Sequence, residues 1–260
     1  MTPFLKHIAQ ELLKLSPPVL QQTIVVFPNK RAIVFLKHYM AQELVQPIWL
    51  PKLISIEDFI VEQSGLQLAD NISLQFKLYE VYLDYMKKEE SDTLEQFLKW
   101  SQILLYDFNE IDRYMVDANA LLTNLSGLKE IEQWSLNNND LTPFQEKYIR
   151  FFEHIYVWYN DFRKKLLEDG LGYQGMAYRQ AAERIHLQPF INEEVWFVGL
   201  NALTTAEKNI IQHLKDVGKA KLFWDADSHY VDNKIHEAGM FMRQHQQKWG
   251  GLSTQKLLEN

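Results

Sequence analysis

The sequence predicts an α/β fold in which a mostly parallel sheet is interrupted by a large all-helical insertion. Three observations carry this. Short, strand-like runs occur near the two ends of the chain, at 23–27, 195–198 and 221–224, the first of them β-branched and apolar. Segments with helical apolar spacing accompany them. Between roughly residues 65 and 188 the spacing is helical throughout and the strand signal disappears. With 260 residues, 47% of them hydrophobic and 13% aromatic, the chain has material for one large core or two modest ones.

Taken in order, Phe4, Leu5, Ile8, Leu12 and Leu13 recur at helical spacing, and Pro17-Pro18 is expected to stop that helix because neither supplies a backbone N–H. Thr23 to Phe27 reads as a buried strand ending at Pro28-Asn29. Ala32, Phe35, Leu36, Tyr39, Met40 and Glu43 then form one stripe of a second helix. Ser55, with Asp58 three residues on, is a helix start of capping-box type before Phe59 and Ile60.

In the insertion, Leu74, Leu78, Val81, Tyr82 and Tyr85 mark one helix and residues 93–109 another. Thr142-Pro143 opens a long third helix, with Phe144, Tyr148, Phe151, Phe152, Ile155 and Tyr159 along it. The α/β pattern returns after Pro189. Val195 to Val198 is a strand, Thr204 with Glu207 a capping box, Ile210, Ile211 and Leu214 a helix face, and Lys221 to Trp224 a further strand. The expected division is therefore 1–64 with 189–260 as the α/β domain and 65–188 as the helical subdomain.

Composition excludes several function classes. No apolar run approaches the roughly 18 to 20 residues that span a bilayer, and the N-terminal segment is broken by Lys6, His7, Glu11 and Lys14. The absence of cysteine removes disulfides, thiolate metal sites and cysteine nucleophiles, which suits a cytoplasmic protein. The net charge of −7 is uneven. Residues 1–60 are net positive with six basic and four acidic groups, whereas 61–190 carry thirteen and twenty-one, so the middle is no broad phosphate-binding surface.

The familiar catalytic and nucleotide-binding motifs are missing. There is no phosphate-gripping G-x-x-x-x-G-K-[ST], no G-x-G-x-x-G, no H-E-x-x-H and no G-x-S-x-G. Asp225 and Asp227 stand past the last strand, where they serve either as paired carboxylates on a sheet's C-terminal edge or, more commonly for Asp, as caps of a turn. Trp49, Trp100, Trp158, Trp196 and Trp224 lie in apolar elements and are expected in the core rather than stacked on bases. Lys30-Arg31, at a strand-to-helix junction, suits a phosphate and equally suits a solvated surface pair.

Phe27-Pro28-Asn29-Lys30-Arg31-Ala32 resembles the strand-to-helix motif with which superfamily 1 helicases of the UvrD and RecB type touch single-stranded DNA. In the same order, Pro51 to Phe59 is similar to the next helicase segment, Val195 to Leu200 to the Walker B strand, and Lys221 to Asp227 to the strand of motif III. Trp100 to Asn124, with Asp107-Phe108-Asn109-Glu110-Ile111-Asp112, is similar to the helical insertion of the first motor domain. The departures are equally informative. The phosphate loop is missing, Val198-Gly199 stands where a motor carries Asp-Glu, and Ser228 stands where motif III has glutamine.

This combination resembles the B subunit of the AddAB helicase-nuclease and its relatives, whose degenerate, RecA-like fold scaffolds, reads DNA and carries a C-terminal nuclease of the PD-(D/E)XK type. The resemblance implies a non-catalytic module of a double-strand-break repair nuclease, with Asn29, Lys30, Arg31 and Ser55 on the DNA. Val198 and Gly199 mark the degenerate Walker B position, and Asp225, Asp227 and Ser228 the motif III-like one. It implies no catalytic residue, metal or cofactor in this chain, and neither ATPase nor nuclease activity. Its expected partners are single-stranded or unwinding duplex DNA and an ATP-driven helicase subunit, with no membrane. A full-length relative continues into a second helicase-like domain and the nuclease, so these residues are expected to be its N-terminal part; the four cysteines of an iron-sulfur cluster found in some relatives are absent. The residues alone leave another reading open, a stand-alone protein-interaction domain with no DNA role, whereas a nucleotide-binding enzyme is disfavoured by the missing loop.

Overall fold

The computed structural model describes residues 3–87, 91–126, 143–190 and 193–250, with backbone only at 123–126, 143–150 and 153. In chain order the first elements are α1 (Phe4–Leu13), α2 (Pro17–Gln21), β1 (Thr23–Phe27), α3 (Lys30–Glu43), β2 (Lys52–Ser55) and α4 (Ile56–Ser64). Next come β3 (Gln67–Leu68), α5 (Asn71–Tyr85), α6 (Leu94–Arg113), α7 (Ala118–Ser126), α8 (Pro143–Glu168), β4 (Leu171–Gly172) and α9 (Gln174–Arg184). The chain closes with β5 (Glu194–Val198), α10 (Thr205–Asp216), β6 (Ala220–Phe223), α11 (Ser228–Asp232) and α12 (Met240–Trp249). Two compact units result, residues 1–63 with 184–260, and residues 64–183.

The first unit is α/β. Its four strands are all parallel, in the order β2-β1-β5-β6, so the two most apolar runs, Thr23–Phe27 and Glu194–Val198, occupy the centre. Parallel neighbours need crossovers, and helices therefore cover both faces of the sheet. Val25 and Phe27 of β1 and Trp196 and Val198 of β5 pack on one face with Ile8, Leu12, Leu20, Leu36 and Met40. The alternate residue Phe197 meets Phe59 of α4 edge to face at 6.0 Å. Truncating Phe197 or Phe59, both fully buried, removes ring area worth about 3–5 kcal/mol.

Of the two expected capping boxes, Thr204 with Glu207 forms in full, and Ser55 with Asp58 makes the bond from the Asp58 N–H together with a side-chain bond between the two residues. The Ser55 hydroxyl accepts from Asp58 N at 3.2 Å, and Thr204 and Glu207 satisfy each other's N–H groups at the start of α10. Pro17-Pro18 behaves differently from expectation. Helix α1 has already ended at Leu13, and the prolines occupy the first turn of α2, where a missing N–H costs nothing. Strand β2 has no periodic signal of its own; it is a four-residue edge strand, ordered by pairing with β1.

The second unit is helical apart from one departure from the expected all-helical insertion, the parallel pair of Gln67–Leu68 with Leu171–Gly172. Two residues per strand leave no sequence period to read. Its core is aromatic, with Tyr82, Phe97, Phe108, Trp158, Tyr159, Phe162 and Tyr173 buried among Leu74, Leu78 and Val81. Thr142 lies outside the described residues, as do the side chains of Phe144 and Tyr148. Tyr85 is partly exposed and donates its hydroxyl hydrogen to Asp161.

At the C-terminal end of α6 a wholly buried carboxylate, Asp112, organises the unit. Tyr159 donates to Oδ1 at 2.5 Å and Arg179 Nε to the same oxygen at 2.6 Å, while Tyr173 donates to Oδ2 and Arg163 Nε stands 3.4 Å from it. Burial and the neighbouring negative charge push both phenols above their ordinary pKa, so they remain donors. Close by, Asn109 Oδ1 accepts from Gly175 N at 2.6 Å.

Candidate nucleic-acid interface

Every residue singled out for function lies in the α/β unit, at or just beyond the C-terminal ends of its strands, where open α/β sheets place their ligands. At the end of β1, Pro28 interrupts pairing and Asn29 turns extended, its Oδ1 accepting from Ala32 N at 3.1 Å. Asn29 is thus the N-cap of α3, an ordinary reason for Asn at this position. The cap sets Lys30 and Arg31 in the first helical turn, both exposed. Arg31 has no ion pair among the described residues.

Lys30 is engaged. Its Nζ lies 3.0 Å from Asp58 Oδ2, and the strand register explains why, since Phe27 is paired with Ser55 and the helices after β1 and β2 therefore begin side by side. Ser55 itself is buried; its hydroxyl donates to Asp58 Oδ2 at 2.6 Å while accepting from Asp58 N. The Ser55 hydroxyl, and after it Lys30, hold the Asp58 carboxyl below its ordinary pKa. Asp58 is the member of this group that local patterning assigned only to a helix cap. Its closeness to Lys30 is a consequence of β1–β2 pairing, which a short edge strand does not announce.

The end of β5 offers no acid. Val198 is fully buried in the core, and Gly199 has φ +68°, a left-handed turn that a side chain strains, with Phe4 close enough that an added Cβ would sit 3.3 Å from its ring. The next carboxylate, Glu207, is buried in its capping box with Thr204. Past β6, Asp227 caps α11 by accepting from His229 N at 2.8 Å, and Ser228 is the first helical residue. Asp225 is reached by solvent, yet desolvation raises its carboxyl above the ordinary range. Asp227 thus performs the commoner of its two expected roles. In strand order, these acids sit two strands away from the Lys30 edge, roughly 10 Å at sheet spacing. Among the described residues no group of three or more His, Asp or Glu side chains could hold a metal ion.

Of the tryptophans, Trp158, Trp196 and Trp224 are buried and Trp100 is partly so. Trp49 is the exception at 79% exposure, because it falls in the irregular segment before β2. Trp224 stacks on His245 at 4.7 Å and His245 on Trp249 at 5.2 Å, an arrangement with no local signal in the sequence. Among the described residues, no helix is long and apolar enough to cross a membrane. No family model matches the chain, and none of the curated proteins matches its sequence.

Proposed function

We propose that this chain is a non-catalytic, helicase-like module that contacts the backbone of single-stranded or unwinding DNA and docks an ATP-driven partner in double-strand-break repair. The observation that carries the reading is topological. One all-parallel sheet is split after its second strand by a helical unit, and the segment Asn29-Lys30-Arg31 stands at its C-terminal edge. This arrangement supports the reading of a RecA-like helicase fold with an inserted subdomain. The exposed cations at the start of α3 support a phosphate contact. Val198 and Gly199 at the end of β5 support the absence of ATP chemistry from this module, since neither side chain can hold magnesium.

The test is fluorescence anisotropy of a labelled single-stranded oligonucleotide with the parent chain and with Lys30→Ala/Arg31→Ala. Weaker binding by the folded double variant supports the reading. Unchanged binding retires it.

One observation favours the alternative, a protein-interaction domain with no DNA role. Ile72, Phe76 and Leu83 fall on one face of α5, opposite the buried Leu74, Leu78 and Val81, and are 66%, 47% and 41% exposed. An apolar stripe on the far side of an already buried helix suits a protein partner. A folded parent chain that binds no single-stranded DNA at low salt would move the assignment toward this surface.

A further inference from the structure

Phe27 and Ser55 are opposite each other in the β1–β2 register, so Lys30, the first residue of α3, and Asp58, in the first turn of α4, reach the same patch of the sheet edge. The pair is in contact, Nζ to Oδ2 at 3.0 Å, with the two side chains 76% and 46% exposed. Unlike a typical surface partner, Asp58 is tethered. The buried Ser55 hydroxyl donates to the same Oδ2 at 2.6 Å, and the Asp58 N–H returns a bond to that hydroxyl. A fixed carboxylate oxygen is therefore already in contact with the ammonium group that a phosphate would use.

Resting on the reading above, we propose that Asp58 is an affinity-setting residue of the interface, an internal competitor that a nucleic-acid phosphate must displace from Lys30. Ser55 acts through Asp58, holding it in place. The consequence is specific. Lys30, Arg31 and Asp58 together carry one net positive charge, so the site behaves as if it neutralised about one phosphate and not two. Removing the carboxylate charge restores the second. Because the pair is exposed, the gain in affinity is modest, about two- to fivefold at low salt.

Asp58→Asn is isosteric, and its side-chain oxygen can still accept from the Ser55 hydroxyl, which keeps the start of α4. Glu57→Gln is the control. It removes the same charge from the adjacent, exposed position, which forms no ion pair among the described residues. Anisotropy with a fluorescein-labelled oligo-dT strand is measured across a salt series for the parent, for each single variant and for Lys30→Ala/Arg31→Ala, with thermal melts confirming folding. The expected result is that Asp58→Asn binds about two- to fivefold tighter and steepens the salt slope by about one, while Glu57→Gln stays near the parent. Asp58→Asn binding like the parent or like Glu57→Gln, with the Lys30/Arg31 variant weakened, overturns this inference and leaves the DNA reading standing. An unchanged Lys30/Arg31 variant overturns both.

Discussion

Arg179 donates from Nε to Asp112 at 2.6 Å and from Nη2 to the carbonyls of Ile111 and Val116 at 2.9 and 2.7 Å. One guanidinium therefore balances the buried charge and satisfies main-chain acceptors around the C-terminal end of α6. Asp112→Ala removes the carboxylate while leaving Arg163 and Arg179 largely buried without it. The expected loss is about 3–5 kcal/mol, the range for breaking a buried pair from one side. Denaturant unfolding followed by tryptophan fluorescence measures it. A loss below about 1 kcal/mol, the scale of an exposed pair, would show that the network does not organise this unit.

Gly175→Ala tests the crossing of α6 and α9. A Cβ at that position would lie 2.1 Å from the Asn109 carbonyl oxygen, a backbone atom that cannot rotate away. The substitution must separate the two helices and break the Gly175 N to Asn109 Oδ1 bond. Destabilisation of at least about 1–3 kcal/mol is expected, read as a lower melting temperature. A melting curve superimposable on the parent's would contradict the close approach.

His245 predicts a loss of stability in mild acid. It is almost wholly buried, stacked on Trp224 and Trp249, and Nε2 donates to the Asn201 carbonyl at 2.6 Å. Burial pushes its pKa below the ordinary value, the hydrogen bond to Asn201 opposes this, and Lys208 and Lys248 add to the depression. The unfolded imidazole takes up a proton near pH 6.5 and the folded one only at lower pH. Stability is therefore fully present above about 6.5 and falls as pH drops toward the folded value. Replacing His245 with Phe keeps a stacked ring and removes the titration, so unfolding curves between pH 7.5 and about 5 should show a shallower decline than the parent's.

The Lys30→Ala/Arg31→Ala variant should bind single-stranded DNA more weakly and show a salt slope shallower by up to about two, one for each phosphate that the parent's cations neutralise. With so few phosphates engaged, parent affinity no tighter than about 10⁻⁴ to 10⁻⁶ M is expected at physiological salt. The competition by Asp58 places the change nearer one than two. A slope unchanged within error would identify Lys30 and Arg31 as a solvated pair.

The sequence alone determined the α/β class and the places of the two buried central strands and of a third strand at the sheet's edge. These are properties of short windows. Continuous runs such as Thr23–Phe27 and Glu194–Val198 can be buried on both faces only in the middle of a parallel sheet, and Thr204 with Glu207 is satisfied within four residues. What only the tertiary structure decided involves residues far apart in the chain or strands too short to have a period. Edge strand β2 and the two-residue strands β3 and β4 exist because a neighbour pairs with them. The candidate site divides the same way. Asn29, Lys30 and Arg31 stand out locally at a strand-to-helix junction, whereas Asp58 reaches Lys30 only through the register of Phe27 with Ser55. Asp112 meets Arg179 across 67 residues. Hydrophobic periodicity records which face of an element is buried, but a polar contact depends on which elements come together, and that is settled by packing.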